Sequence, residues 1–224
     1  MTETDYVPER RPITTRDHPL SIRVATRIAG WGITPNEISV IGMIAGVAAG
    51  LAFAFTPRIG HGWILFVVGA VLVQLRLLAN MLDGMVAVQT GLASPVGELF
   101  NEVPDRVSDT AIFVGAGYAV GGLPTWGYLA AIAALFTAYV RAEGKVAGAH
   151  QEFCGPMAKP QRMALITLAA LYAGLAPAEF QPRVSWWPGA STIAMALALI
   201  ALGSTVTFLR RLQRIGRALR KEKT

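Results

Sequence analysis

Six apolar stretches follow one another between residues 37 and 209, and no other feature constrains the fold as much. They cover 37–56, 62–87, 96–121, 125–145, 161–177 and 188–209. A helix that crosses the hydrocarbon core of a bilayer needs about 20 mostly apolar residues, and these stretches have that length or come close to it. The fifth is the shortest: only Met163 to Ala176 is free of charge and Pro177 closes it, so it also reads as a buried helix that does not span. Only 15% of the residues are charged, against about a quarter in ordinary soluble domains. The expected fold is all-α: a polytopic membrane protein, a six-transmembrane-helix bundle preceded by an N-terminal amphipathic interfacial helix.

Three segments are expected. Residues 1–35 form a cytoplasmic N-terminal segment with the amphipathic helix, 36–210 the membrane domain, and 211–224 a basic cytoplasmic tail. The first 30 residues hold Arg10, Arg11, Arg16, Arg23 and Arg27 without the apolar core of a cleavable signal, which keeps the N-terminus in the cytoplasm. With six crossings and both ends inside, only Arg58, Arg76, Arg106 and Arg183 of the 20 basic residues fall outside the cytoplasmic segments. That asymmetry fixes the orientation. The reading is a multi-pass protein of the cell membrane with its polar site facing the cytoplasm.

The net charge of +6 does not point to nucleic acid, because the basic residues sit beside membrane segments. There each adds about 1 kcal/mol of attraction to anionic head groups. Leu20, Val24, Ile28 and Trp31 recur at helical spacing before Pro35, and Phe208, Leu212, Ile215 and Leu219 repeat the pattern at the other end. Both stripes read as anchors on membrane lipids. Cys154 is alone, so neither a disulfide framework nor a zinc site is expected.

Between the second and third stretches the chain turns polar. Arg76, Asn80 and Asp83 fall within about 60° of one another on a helix, and Gly84 and Ala87 continue that face with almost no side chain. Glu98, Asn101, Glu102, Asp105 and Asp109 share an arc of about 100° on the next. A carboxylate facing lipid costs about 2.5–3.5 kcal/mol, so this stripe faces protein, water, a cation or the membrane boundary. Hard oxygen ligands crowded together suit a divalent cation. Solvated helix-terminal acids, or acids paired with Arg76 and Arg106, are the plainer reading.

The same stretch resembles the signature of the CDP-alcohol phosphotransferase family, also called CDP-alcohol phosphatidyltransferases. In that pattern D-x-x-D-G-x-x-A-R is followed by eight residues and then G-x-x-x-D-x-x-x-D. Here the fixed positions hold Asn80, Asp83, Gly84, Ala87, Val88, Gly97, Asn101 and Asp105, with every spacing in register. Thr34-Pro35-Asn36, Arg106, the segment Tyr139 to Glu143 and Lys159 also resemble the family, so the likeness runs from about residue 20 to 210.

The resemblance implies a transferase that moves a phosphatidyl group from a CDP-linked lipid such as CDP-diacylglycerol to an acceptor alcohol and releases CMP, in phospholipid biosynthesis. It implies Mg²⁺ or Mn²⁺ held by Asp83 and Asp105, with Asn80, Asn101 and Asp109 as further ligands. Asp105 would be a ligand or the general base nearest the attacking oxygen. Gly84, Ala87, Gly97 and Arg76 fall to the donor, and Arg141, Lys159 and Arg162 to an anionic group of the acceptor. Each of those basic residues also reads as a positive-inside determinant. An apolar helix face is compatible with a homodimer. Asn80, Asn101 and Val88 depart from the signature, removing two negative charges and one phosphate-clamping fork. The alternative is a catalytically inactive family-fold protein that binds a CDP-lipid or a partner enzyme.

Overall fold

In the computed structural model, residues 18–182 and 191–221 are described. Arg10, Arg11, Arg16, Arg183 and the end of the basic tail lie outside them. The described residues form seven α-helices and no strand: α1 (Pro19–Gly30), α2 (Pro35–Phe55), α3 (Gly62–Gln89), α4 (Pro95–Gly117), α5 (Pro124–Val146), α6 (Lys159–Leu175) and α7 (Thr192–Lys221).

Several starts are written locally. Thr34 caps α2 reciprocally: its backbone N–H donates to Glu37 Oε2 at 2.7 Å, and the Glu37 N–H donates to Thr34 Oγ1 at 3.3 Å. Ser94 caps α4 by accepting from the Gly97 N–H at 3.1 Å. Pro35, Pro95 and Pro124 stand in the first turns of α2, α4 and α5, where no intrahelical donor is lost.

The packing follows a stripe of small residues. Gly42, Gly46 and Gly50 recur every fourth position on α2. A Cβ at Gly42 would stand 2.9 Å from Ala79 Cβ on α3, and one at Gly46 would stand 2.6 Å from Ser108 Cβ on α4. Gly50 meets the backbone of Ala111 and Gly115. Close backbone approach of this kind replaces the hydrophobic drive that lipid removes, and it sets α3 and α4 on either side of α2. Phe53, Phe66, Val73, Phe113, Ile166 and Leu197 share the main core, into which α5, α6 and α7 also pack.

Three of these helices are long and apolar enough to cross a membrane: Pro35–Arg58, Gly62–Gln89 and Thr192–Arg220. Outward-facing Ile44, Leu51, Val71, Leu75 and Leu202 give these helices an apolar exterior, and the chain is an integral membrane protein. The expectation of six spans is met in part. Helix α4 carries five acids or bases between Glu98 and Asp109, and α6 has 17 residues, at the lower limit of a crossing.

The two ends fare differently against the lipid-anchor reading. In α1, Ala25 is fully buried and Ile28 packs with Leu82 and Val86 of α3, while Leu20, Val24 and Trp31 are exposed. At the other end α7 continues as one helix to Lys221. Ile215 packs with Val140 and Ala149, joined by Phe208 and Leu219. That stripe covers the end of α5 rather than a lipid surface, and only Leu212 is left half-exposed.

Candidate functional site

Where α3 and α5 end and α2, α4 and α6 begin, the helices splay around a cavity of about 250 Å³. Asn80, Asp83, Gly84, Ala87, Gly97, Asn101, Asp105, Arg141, Lys159 and Arg162 all line it. Residues more than 80 positions apart therefore meet as the sequence pattern predicts. Three helix starts face the cavity through Asn36, Gly97 and Lys159, bringing the positive ends of three backbone dipoles to one place.

Asp83 is 2% exposed. It accepts from Ser39 Oγ at 2.6 Å, from the Gly84 N–H at 2.5 Å and from Asn101 Nδ2 at 3.3 Å. Among the described residues no cation pairs with it. Asn101 Oδ1 accepts from Asn80 Nδ2 at 3.1 Å, and Asn80 Oδ1 accepts from Lys159 Nζ at 2.5 Å. Lys159 also forms an ion pair with Asp105.

Below Asp105 the network turns into paired ions. Arg76, 1% exposed, donates from Nη2 to Asp105 Oδ1 at 3.0 Å and to Asp109 Oδ1 at 2.6 Å. Arg162 reaches Asp109 Oδ2 at 3.3 Å and Thr137 Oγ1 at 3.1 Å. Asp105 and Asp109 thus take up Lys159, Arg76 and Arg162 between them, while Asp83 keeps only neutral hydrogen-bond donors. At the rim, Glu102 pairs with Arg141 and Arg106, and Glu98 with Lys145 at 2.8 Å.

Two expected placements change. Asp109 points away from the cavity, because Arg76 and Arg162 hold both its oxygens, and Arg76 lies beneath the acids rather than on the donor surface. Both sit one or two turns deeper in the bundle than the other motif residues, where burial demands pairing. Val88, at the signature's arginine position, is 61% exposed.

Ser39 and Arg211 also belong to the site and were not singled out in the sequence. Arg211 is 6% exposed, lines the cavity, and donates to the carbonyls of Cys154 at 2.9 Å and Thr137 at 2.8 Å. Its signal was the buried polar face Ser204, Thr207, Arg211 on α7. Asn36 and Ser39 stand three apart on α2, ahead of the glycine stripe.

A void of about 10 Å³ lies among Ser39, Arg76, Asn80, Asp83, Asn101 and Asp105, close to the space of one water-sized particle. No three Asp, Glu, His or Cys side chains gather to hold a metal among the described residues. The oxygens around the void come from two carboxylates, two amides and the hydroxyls of Ser39 and Ser108, with the Arg76 guanidinium also in its wall; this hard donor set fits a single small cation beside Asp83, which no basic side chain contacts among the described residues.

The model of the CDP-alcohol phosphatidyltransferase family matches residues 32–209. The chain belongs to that family. Its similar relatives include an archaetidylinositol phosphate synthase of Pyrococcus horikoshii, 28% identical over 84% of this chain and 87% of that protein. A phosphatidylinositol phosphate synthase of Streptomyces avermitilis is 30% identical over 87% of this chain and 79% of that protein. Among solved structures, the phosphatidylinositol phosphate synthase of Mycobacterium tuberculosis with CDP-DAG bound has a TM-score of 0.70 at 22% identity, covering 88% of this chain and 94% of that one. The same enzyme in complex with manganese and citrate gives 0.71 at 23% identity, covering 88% of each chain. These two likenesses establish the fold. Membership of the CDP-alcohol phosphatidyltransferase family makes the chain a transferase of phospholipid biosynthesis.

Proposed function

We propose that the chain transfers a phosphatidyl group from CDP-diacylglycerol, or a related CDP-linked lipid, to an acceptor alcohol that itself carries a phosphate, releasing CMP. The observation that supports this most is Asp83: a buried carboxylate without a cationic partner, opening on a cavity ringed by Arg141, Lys159, Arg162 and Arg211. An acid with no direct cation contact, facing a basic wall, suits a cation-bridged diphosphate on one side and a free phosphate on the other. The names of the relatives point to the same product class, a phosphatidyl- or archaetidylinositol phosphate.

Asp83 would hold one Mg²⁺ or Mn²⁺, with the amide oxygen of Asn101 turned toward it. When bound, the ion neutralises charge that develops on the diphosphate. Gly84, Ala87 and Gly97 leave the cavity wall low enough for the nucleotide to lie close to the backbone. Asp105 accepts the proton of the attacking hydroxyl, and Arg76 and Lys159 fix its orientation. Arg141, Arg162 and Arg211 hold the acceptor's phosphate. The bundle crosses the membrane six times, with α4, α5 and α6 completing the spans, and the cavity faces the cytoplasm.

The test is CMP release from CDP-diacylglycerol by purified protein with Mg²⁺ or Mn²⁺ and inositol phosphate, with products identified by mass. Turnover that Asp105→Ala abolishes is the expected result. The two amides at signature positions favour a second reading, a protein that binds a CDP-lipid without catalysis. Tight donor binding without turnover across a broad acceptor panel would establish that reading instead.

A further inference from the structure

We propose that Lys159 is a tethered cation that occupies the position between Asn80 and Asp105 where a second divalent ion would otherwise sit. The inference rests on the metal-assisted reading above, but its test does not depend on turnover.

Two carboxylates and two amides from α3 and α4, Asp83, Asp105, Asn80 and Asn101, stand around the small void, and they divide into unlike halves. On one side Asp83 has only neutral donors: Ser39 Oγ, the Gly84 N–H and the Asn101 amide. On the other, Asp105 is engaged at both oxygens, by Lys159 at Oδ2 and by Arg76 at Oδ1. Lys159 Nζ is held by Asn80 Oδ1 as well, at 2.5 Å. The ammonium is therefore gripped by one carboxylate and one carbonyl oxygen, the donor types that would ligate a hard cation.

Charge leads to the same assignment. Three buried acids, Asp83, Asp105 and Asp109, are matched by Arg76, Lys159 and Arg162. One added dication at Asp83 leaves the cluster modestly positive and ready for an anionic diphosphate. A second, beside Asp105, would meet the fixed positive charges of Lys159, Arg76 and, at 3.6 Å, Arg106, with Asp109 already engaged by Arg76 and Arg162. Asn80, an amide rather than an acid, suits this arrangement because it accepts from the ammonium without adding charge. Lys159 is the first residue of α6, so the position of the ammonium is set by the fold and not by ion concentration.

Counting ions tests this. Mn²⁺ is titrated into full-length purified protein in detergent, and free Mn²⁺ is followed by its electron paramagnetic resonance signal. The wild type is expected to bind one ion per chain, Lys159→Arg one, and Lys159→Met two. An unchanged count in folded Lys159→Met, or two ions in the wild type, overturns the proposal. Should Lys159→Met fail to fold, Asn80→Asp decides: the added acid pairs with Lys159 and the count stays at one, whereas a second ion refutes the assignment. A wild-type count of zero with a gain of one in Lys159→Met supports the tethered cation and refutes the ion at Asp83. No turnover in any variant bears on the proposed activity alone.

Discussion

Ser39 and Asp83 are joined by a 2.6 Å hydrogen bond that ties the middle of the α2 polar face to the α3 acid. Ser39 thereby orients the one buried carboxylate among the described residues that lacks a cation partner. Hydrogen bonds to charged groups contribute about 1.5–3 kcal/mol. Ser39→Ala is therefore expected to raise the divalent-ion concentration needed for half-maximal activation by about tenfold or more, with the melting temperature changing less. A Mn²⁺ activation curve measured beside a thermal melt checks both.

Asp105→Ala leaves Lys159 and Arg76 without their shared acid in a buried site. Removing one partner of a buried ion pair costs about 3–5 kcal/mol, so a clear drop in thermal stability should accompany loss of CMP release. Asp105→Asn keeps the shape and should be inactive with a smaller drop. Equal activity in Asp105→Asn and wild type would remove the proton-accepting role.

Arg76→Met and Asp109→Asn break the same ion pair deep in the bundle. Each alone should lower stability by about 3–5 kcal/mol, and the double variant by clearly less than the sum. Additive losses in detergent unfolding would show that the two residues do not act together.

Gly50→Ala places a methyl group against the Ala111 carbonyl of α4, where backbone cannot give way. The variant should separate α2 from α4, lower the melting temperature and weaken donor binding, because α2 holds Asp83 through Ser39 and packs directly on the helix that carries Asp105. Gly60→Ala, where no atom lies within 4 Å, should do neither.

Arg211→Ala should raise the KM for a phosphate-bearing acceptor while leaving the KM for the lipid donor near the wild-type value. Its guanidinium also holds the Cys154 and Thr137 carbonyls, so some loss of stability is expected. A selective change in donor KM would reverse the assignment of the basic wall.

Much of this architecture was legible because membrane helices write themselves as long apolar runs and the acids kept strict helical spacing. Asn80, Asp83, Asn101 and Asp105 meet as their faces predicted. The depth of each residue was not legible. Helical periodicity gives an angle around the axis, so Arg76 and Asp109 shared a face with the ligand candidates although they lie deeper, within an ion-paired layer. Arg211 was hidden for the opposite reason: among Arg210, Arg214 and Arg217 it looks like one more head-group contact, and only the packing of α7 on α5 turns it inward.

The three helix starts that converge on the cavity have a consequence for working conditions. Partial charges of backbone amides do not titrate and cannot be competed away by a proton or an ion, so part of the pull on a phosphate is built into the chain's direction of travel. Such a site keeps a baseline grip on anionic ligands in acid, in alkali and when divalent ions are scarce.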